Sequence, residues 1–271
     1  MRIALGIEYD GQAFSGWQWQ KGKLTVQGAV EDALSRVAAE SIRVICAGRT
    51  DAGVHALEQV VHFDTKVYRK PYSWLMGTNT ALPEDVRILW VQETPEDFHA
   101  RYSAIARFYR YVILNRPMKS ALFRRQLTWH FHPLNEKAMQ EAANNLIGEH
   151  DFSSFRAQDC QSKSPMRRMH FIHVRRENDK VIIELCANAF LHHMVRNIVG
   201  VLMEVGSGKQ RPDWAAEVLG ARDRKCAGVT APADGLYLGG VYYPPHFGLP
   251  RHPIFDYLPE DASRYTPSES E

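Results

Sequence analysis

The sequence is poor in cysteine, and it contains neither a long apolar run nor a marked excess of one charge. Its four cysteines, Cys46, Cys160, Cys186 and Cys226, show no C-x-x-C spacing, which argues against a zinc site and against a disulfide framework. No apolar run is long enough to cross a bilayer, and the first residues, MRIALGIEYD, predict a strand rather than a signal peptide. We therefore expect a cytoplasmic protein that contacts no membrane.

The charge of the chain is nearly balanced. The 33 Lys and Arg residues are matched by 31 Asp and Glu residues, so the formal net charge of the 271 residues is +2. This balance excludes a uniformly basic nucleic-acid binder. The basic residues nevertheless cluster within residues 69–70, 101–110, 124–125 and 163–168. Such runs usually mark a solvated face, and they favour nucleic-acid binding if the fold brings them to one groove.

Histidine pairs are the remaining source of metal ligands. The 12 histidines include three close pairs, His130 with His132, His170 with His173, and His192 with His193. In a strand, residues two apart share a face, so the first pair could chelate an ion. No carboxylate or cysteine accompanies the pairs at ligand spacing. We therefore predict surface or core histidines and no metal site.

Hydrophobic periodicity predicts the same order of elements twice: strand, helix, strand, strand, helix, strand. The predicted strands are 2–9, 42–47, 59–64, 86–92, 107–114, 169–175, 181–187 and 237–243, and the predicted helices are 26–39, 72–80, 136–147 and 191–205. Thr25 and Asn135 suit helix N-caps, and Gly148 suits the end of a helix.

This order is the split βαβ plan of ferredoxin-like folds. We therefore predict an α+β protein with two ferredoxin-like halves, residues 1–104 and 105–243, with antiparallel sheets and a central active-site cleft. The N-terminal half would carry the catalytic residue. Residues 244–271 are predicted to form an extended C-terminal tail that is partly disordered.

The stretch GRTDAGVHA, residues 48–56, places Asp51 between an arginine and a histidine. Asp followed by Ala-Gly is ordinary turn chemistry, because the Asp side chain can bond its own backbone and glycine accepts positive φ. The same carboxylate could instead act as a nucleophile or a base. Taken alone, the stretch favours the turn.

Arg196 lies in the predicted helix 191–205, which is apolar nearly all the way round and therefore buried on most sides. An unpaired buried guanidinium is very costly, so a carboxylate or phosphate should meet it. Alternatively, the long side chain carries the charge to the surface. His193 and Asn197 lie beside Arg196 and make a polar stripe that needs a partner, and Asp51 could be that partner.

Seven motifs, in order along both halves, carry a resemblance to a known family. They are YDG-x-x-F-x-GWQ at 9–18, GRTDAGVHA at 48–56, DFHAR at 97–101, RFYRY at 107–111, DFSSF at 151–155, NAFLHHMVRNIVG at 188–200 and GLYL at 235–238. Through these motifs the chain resembles the tRNA pseudouridine synthase A family. Enzymes of that family isomerise uridines in the anticodon stem-loop of tRNA.

The resemblance implies a role for each matching residue. Asp51 corresponds to the catalytic aspartate and Arg196 to the arginine that pairs with it. Arg49 corresponds to the arginine that helps to displace the target nucleotide, and Tyr109 to the tyrosine that packs on the target base. Contacts with tRNA are implied for Arg69, Phe98, His99, Ala100, Arg101, Tyr102, Asp159, Cys160, Gln161, Ser162 and Lys163. Asp159 departs from expectation, because it puts a negative charge in a loop implied to face phosphates.

The resemblance also implies a fold of two ferredoxin-like halves and a homodimer in which tRNA contacts both subunits. Pseudouridine formation breaks the bond from C1′ to N1 and joins C1′ to C5 of the same base. No redox change or group transfer is involved, so no cofactor is expected. Two rival interpretations are a catalytically silent RNA-binding module, whose RNP-type aromatic motifs are absent, and a glycoside hydrolase, which needs a second carboxylate.

Overall fold

The computed structural model describes residues 1–257, which form two compact units. The first unit contains residues 1–105 and 237–257, and the second contains residues 106–236. No helix within residues 1–257 is long and apolar enough to span a membrane.

The first unit begins with four strands and two helices. They are β1 (Arg2–Tyr9), α1 (Val26–Ala38), β2 (Ile45–Cys46), β3 (His55–Asp64), α2 (Pro71–Ala81) and β4 (Val86–Thr94). β1 pairs antiparallel with both β3 and β4, and β2 pairs antiparallel with the second half of β3. The resulting order, β4-β1-β3-β2, is that of a split βαβ motif.

Local chemistry explains where these elements begin and end. The Thr25 side chain accepts a hydrogen bond from Gly28 N at 3.3 Å, which confirms it as the N-cap of α1. α1 then buries Val26, Val30 and Leu34 along one stripe. α2 begins at Pro71, where a missing N–H costs nothing and the fixed φ suits a helix.

The second unit contains five strands and three helices. They are β5 (Ala106–Asn115), β6 (Thr128–His130), α3 (Glu136–Asn144), β7 (Gly148–Asp151), β8 (Met166–Glu177), β9 (Lys180–Ala187), α4 (Met194–Gly206) and α5 (Trp214–Ala221). β9 lies between β5 and β8 and is antiparallel to both, while β7 extends the sheet beyond β8. β6 pairs with the end of β5 in parallel. The α+β class with mostly antiparallel strand pairing is therefore confirmed.

Several predicted boundaries are wrong. α3 ends at Asn144, so Gly148, with φ 107°, begins β7 instead of ending a helix. The predicted strand 42–47 is reduced to Ile45–Cys46. α4 begins at Met194, because His193 takes a left-handed φ of 59° that stops a helix from starting earlier. Asn135 is confirmed as the N-cap of α3, since its side chain accepts from Lys137 N and Ala138 N.

The last strand, β10 (Leu236–Tyr242), belongs to the first unit apart from its first residue, and it pairs with β3 in parallel. Residues 244–257 do not form the predicted extended tail. They form two short 3₁₀ helices and bury Phe247 and Phe255, whose rings pack on Phe98 and Tyr242. The prediction for 258–271 lies outside the described residues.

Candidate functional site

Asp51 lies in the loop between β2 and β3 of the first unit and is half-buried. Its backbone opens a turn, in which Val54 N donates to Asp51 O at 3.2 Å. Gly53 takes a φ of 79°, a conformation that glycine adopts without strain. The predicted turn is therefore present. It occupies the Asp51 backbone, so it is compatible with a chemical role for the carboxylate.

Two glycines of the loop 10–18 lie directly against the backbone around Asp51. A Cβ added at Gly11 would lie 1.9 Å from Val54 O. A Cβ added at Gly16 would lie 2.8 Å from Thr50 O, and Gly16 also has a positive φ of 88°. No larger residue fits at either position without moving the backbone on one side of Asp51.

Hydrogen bonds fix the residues just before Asp51. Trp17 N donates to Thr50 O at 3.0 Å, and the hydroxyl oxygens of Tyr9 and Thr50 lie 2.7 Å apart. Gln59 Nε2 donates to Gly48 O at 2.5 Å. The Tyr9 and Trp17 side chains are themselves buried. The motif at 9–18 therefore contacts the motif at 48–56 and holds its backbone in place.

His55 was not predicted to have a role, although it lies inside the GRTDAGVHA motif. It is buried at the start of β3, and its Nδ1 accepts from Gly11 N at 3.1 Å. Asp10 Oδ1 also lies 3.1 Å from this nitrogen, and the ring stacks on Tyr237 at 4.8 Å. Burial, assisted by Asp10, raises the pKa of Tyr237 to about 12. His55, on β3, thus contacts both the loop 10–18, through Gly11, and β10, through Tyr237.

Arg49 is exposed and lies, with Arg101, near the Cys46 thiol. Burial raises the pKa of Cys46 to about 12, and the guanidinium groups of Arg49 and Arg101 act against that rise. Both cations are therefore within electrostatic reach of the same thiol. The structure brings these two predicted RNA-contacting residues to one region of the first unit.

The segment 98–102 combines buried and exposed residues. Phe98 and Ala100 are fully buried, whereas Arg101 and Tyr102 are exposed. His99 Nδ1 accepts from the backbone N–H groups of Arg101 and Tyr102 at 3.1 and 3.2 Å, and its ring stacks on Tyr102 at 4.3 Å. The Arg101 guanidinium lies 5.5 Å from the centre of the Tyr102 ring. The buried members therefore support the segment, and the exposed ones are available for contact.

His62, on β3, holds this segment and was also missed. Its Nδ1 accepts from Ala100 N at 3.1 Å, and the Tyr243 hydroxyl donates to Ala100 O at 2.6 Å. Burial lowers the pKa of His62 to about 4, with smaller contributions from His99 and Arg2. The ring is therefore neutral near pH 7, as its acceptor role requires. Alternation along β3 indicates only a buried face and carries no sign of this contact.

Arg69 lies before α2, away from the Asp51 loop in sequence. It is exposed, and its Nε donates to Val37 O at 2.8 Å. Tyr68 and Tyr72 flank it with 74% and 70% of their surfaces exposed. Two exposed aromatic residues therefore flank a basic pair, a combination that single-stranded RNA can contact by stacking and by charge.

In the second unit, Tyr109 lies on β5 and is 8% exposed. Its ring meets Phe190 edge-on, with ring centres 4.9 Å apart. Arg107, on the same strand, donates to Asn188 O at 2.8 Å. The RFYRY and NAFLHH motifs are therefore in direct contact.

Arg196 is the third residue of α4 rather than the sixth of a helix that begins at Leu191, and its side chain is half-buried. Its Nε donates to Ala231 O at 2.8 Å, and Ala231 N donates to Arg196 O at 3.1 Å. A Cβ at Gly200 would lie 1.9 Å from Val229 O, so the segment before Ala231 runs closely along α4. Burial raises the pKa of the Tyr111 hydroxyl, and the charge of Arg196 acts against that rise.

Asn197, next to Arg196, is completely buried and joins three segments. Its Nδ2 donates to Phe155 O at 2.8 Å, and its Oδ1 accepts from Arg224 at 3.0 Å and from Thr230 at 2.7 Å. This network explains why the DFSSF motif and the α4 motif occur together. It also holds the loop that positions Arg196.

The loop 159–163 is attached to the segment before α4. Asp159 Oδ1 lies 3.0 Å from His192 Nδ1, and this contact lowers the pKa of Asp159. Arg156 donates to Cys160 O at 2.7 Å, and Arg167 donates to the Ser162 hydroxyl at 2.7 Å. Gln161 and Lys163 are exposed. Asp159, the acidic residue that was not expected in this loop, is therefore paired with His192 of the same unit.

The predicted site residues are divided between the units. Asp51, Arg49, Arg69 and residues 98–102 lie in the first unit, and Tyr109, Arg196 and residues 159–163 lie in the second. The pairing of Asp51 with Arg196 stays a prediction.

Comparisons with known proteins agree with these motifs. The profile of a family described as tRNA pseudouridine synthase matches residues 6–103 and 142–244. The tRNA pseudouridine synthase A of Methylococcus capsulatus is 67% identical over 269 residues, 99% of each chain. The proteins of the same name from Nitrosococcus oceani and Coxiella burnetii are 60% and 56% identical, each over 93% of this chain and 97% of the relative.

These likenesses show that the chain is an isomerase rather than a passive RNA-binding domain. The chain belongs to the tRNA pseudouridine synthase family.

Proposed function

We propose that this enzyme converts uridine to pseudouridine in the anticodon stem-loop of tRNA, with Asp51 as the reacting carboxylate. The observation that carries the proposal is the bracing of the Asp51 loop. Gly11 and Gly16 approach its backbone so closely that no side chain fits, and Trp17 and Tyr9 bind Thr50 just before Asp51. A surface turn needs no such support, whereas a reacting group must be held in place.

The reaction is balanced within one nucleotide. The bond from C1′ to N1 breaks, the bond from C1′ to C5 forms, and the hydrogen at C5 is lost as a proton while N1 gains one. Asp51 would act either as a nucleophile or as a base towards the sugar, and both roles require the ionised carboxylate. We assign to Arg196 the task of keeping it ionised, as the resemblance implies.

The target uridine must leave the helical stack before it can react, which costs a few kcal/mol. We assign to Arg49 the displacement of the nucleotide and to Tyr109 the packing against the base. Stacking of a base on an aromatic ring contributes about 1–3 kcal/mol, enough to offset much of that cost. The edge contact with Phe190 at 4.9 Å fixes the Tyr109 ring plane in advance.

Contacts with the rest of the tRNA are proposed for Arg69, for residues 98–102 and for residues 159–163. Within 98–102, the exposed Arg101 and Tyr102 would make the contacts, because Phe98 and Ala100 are buried. As the resemblance implies, we further propose a cytoplasmic homodimer with tRNA contacting both subunits, with ferredoxin-like halves at 1–104 and 105–243. No metal or cofactor is proposed.

Mapping of pseudouridine in an unmodified tRNA transcript tests the proposal. After incubation with the wild-type protein, pseudouridine should be found in the anticodon stem-loop. A matched transcript with cytidine in place of those uridines should remain unmodified. Modification confined to another part of the tRNA would contradict the assigned substrate, and binding without modification would support the silent RNA-binding module.

A further inference from the structure

The second unit contains a cavity of about 470 Å³ that the proposed function does not use. One wall is formed by the segment between β5 and β6, and another by the residues just before β10. Its charged and aromatic lining residues are Lys119, Phe123, Arg124, Arg125, Trp129 and Asp234. Three cations and one acid give the cavity an excess of positive charge, which favours an anionic ligand.

The two aromatic rings of this cavity lie close to cations. Lys119 Nζ lies 4.9 Å from the centre of the Trp129 ring, and Trp129 Nε1 donates to Arg116 O at 3.0 Å, which fixes the ring. Phe123 is 47% exposed, and Lys180 Nζ lies 5.8 Å from its centre. Trp129 is half-buried, so Phe123 is the ring open to a ligand, and an exposed ring beside a cation can bind a base and its phosphate together.

The base of the cavity is already formed. A Cβ at Gly235 would lie 2.4 Å from Val112 O, so the segment before β10 is held against β5. The Tyr111 hydroxyl donates to Pro232 O at 2.8 Å, which fixes the same segment. A preformed cavity loses little free energy to ordering when a ligand binds.

We infer that this cavity is a second RNA-binding subsite, which holds one phosphate and its base from a part of the tRNA other than the target uridine. The inference rests on the proposed function. The volume is within the range of sites for small ligands and suits a single nucleotide. Leu114 lines the cavity and lies five residues beyond Tyr109 on β5, a distance of about 17 Å at 3.3–3.4 Å per residue. The cavity also extends to the face of β5 that carries Tyr109, because Tyr111, two residues further along, has its hydroxyl 2.6 Å from Oγ1 of the lining residue Thr128. We therefore expect one RNA molecule to contact both places.

The test uses two double variants with the same change in net charge. Lys119→Ala/Arg124→Ala removes one lysine and one arginine from the cavity. Lys209→Ala/Arg211→Ala removes one of each from exposed positions elsewhere in the second unit, where the side chains are 65% and 70% exposed. Phe123→Ala, made separately, removes a ring and leaves the charge unchanged. Thermal unfolding checks that all three proteins fold.

Affinity for tRNA against salt and the steady-state constants kcat and KM are measured. The cavity double variant should raise KM about tenfold with kcat unchanged, and should lower the slope of log affinity against log salt by about 0.7–0.9 for the lost phosphate contact. The control double variant should move neither quantity. Phe123→Ala should raise KM about fivefold or more through lost stacking, without changing the salt slope.

Equal behaviour of the cavity and control double variants would overturn the inference. Binding of uridine monophosphate is measured for the same proteins. If the cavity double variant loses this binding but keeps the wild-type KM for tRNA, the cavity binds free nucleotides and the inference is overturned. Because the affinity measurement needs no turnover, it still tests the cavity if the wild-type protein forms no pseudouridine, and that result would contradict the proposed function alone.

Discussion

Gly16→Ala should move the Asp51 loop, and its effect on kcat can be distinguished from a general loss of stability. The new Cβ would lie 2.8 Å from Thr50 O and 3.1 Å from both Asp51 C and Ala52 N. These neighbours are backbone atoms, so the Asp51 loop itself must move. The left-handed φ of 88° adds strain of about 1–2 kcal/mol for a residue with a side chain.

Gly22→Ala is the matched control. Gly22 also has a positive φ, 75°, but nothing lies within 4 Å of its added Cβ. It should therefore lose about 1–2 kcal/mol of unfolding free energy, as the strain requires, and keep the wild-type kcat. Gly16→Ala should lose more stability, because its contact is added to the same strain.

The decisive quantity is kcat for pseudouridine formation, measured with saturating tRNA at a temperature where both variants are folded. A shift of the Asp51 backbone by about 1 Å should lower kcat about 100-fold. KM should change little, because the residues proposed to bind phosphate are elsewhere. Equal kcat values for the Gly16→Ala and Gly22→Ala proteins would refute the view that the loop 10–18 positions Asp51.

Three further outcomes are expected. Folding lowers the pKa of His62 from 6.5 to about 4, so between these pH values the unfolded chain binds more protons than the folded one. The contribution of His62 to the free energy of unfolding is therefore complete above pH 6.5, and up to about 3 kcal/mol of it should be lost as the pH drops to 4. Denaturant titrations should show a smaller fall for His62→Gln, and equal falls would contradict it. Asn197→Ala should lower the free energy of unfolding by about 2–3 kcal/mol, because it leaves the buried hydrogen-bond partners of Asn197 unsatisfied. Asn144→Ala, at an exposed position, should change it little. Equal free energies of unfolding for the two variants would contradict a stabilising role for the Asn197 network. Exhaustive EDTA treatment should leave conversion of a prefolded tRNA unchanged, since the spacing of cysteines and histidines along the sequence predicts no metal site. Loss of conversion that trace zinc restores would disprove this.

Long elements of the fold are predictable because their own residues carry the periodicity. The alternation of Ile3, Leu5 and Ile7 predicts β1, and the spacing of Val26, Val30 and Ala33 predicts α1. β6 and β7, with three and four residues, are too short to show any period. Their pairing with β5 and β8 is decided by neighbouring strands, so the sequence of each strand alone cannot reveal it.

The start of α4 shows a second limit of sequence patterns. The apolar residues from Leu191 onward fit a helix, but His193 adopts a left-handed conformation that few residues other than glycine take up. This moves Arg196 from mid-helix to the first turn. Its side chain then meets the backbone of Ala231, a contact between residues 35 positions apart.

Arg49 and Tyr109 are predicted as site residues only because whole motifs resemble those of a known family, and the same resemblance turns Asp51 from a turn residue into a candidate for reaction. The spacing around Asp51 alone indicates a turn, and the structure contains that turn. The supports of the site depend on tertiary contacts that no local pattern encodes. His62 meets Ala100 across 38 residues and would be taken from its strand alone for a core histidine.

The central claim is that Asp51 reacts, and single-turnover conversion of a uridine in an anticodon stem-loop by Asp51→Asn tests it most directly. Asn makes the same turn bonds and tolerates the same backbone angles, so the fold should survive. The amide can neither attack the sugar nor accept its proton, so conversion should be abolished. Binding of tRNA by the same preparation should be retained, because phosphate contacts elsewhere dominate affinity. Asp32→Asn, at an exposed position of α1, is the control and should convert at the wild-type rate. Conversion by Asp51→Asn at a rate near that of the wild type would contradict the account and leave Asp51 as a turn residue.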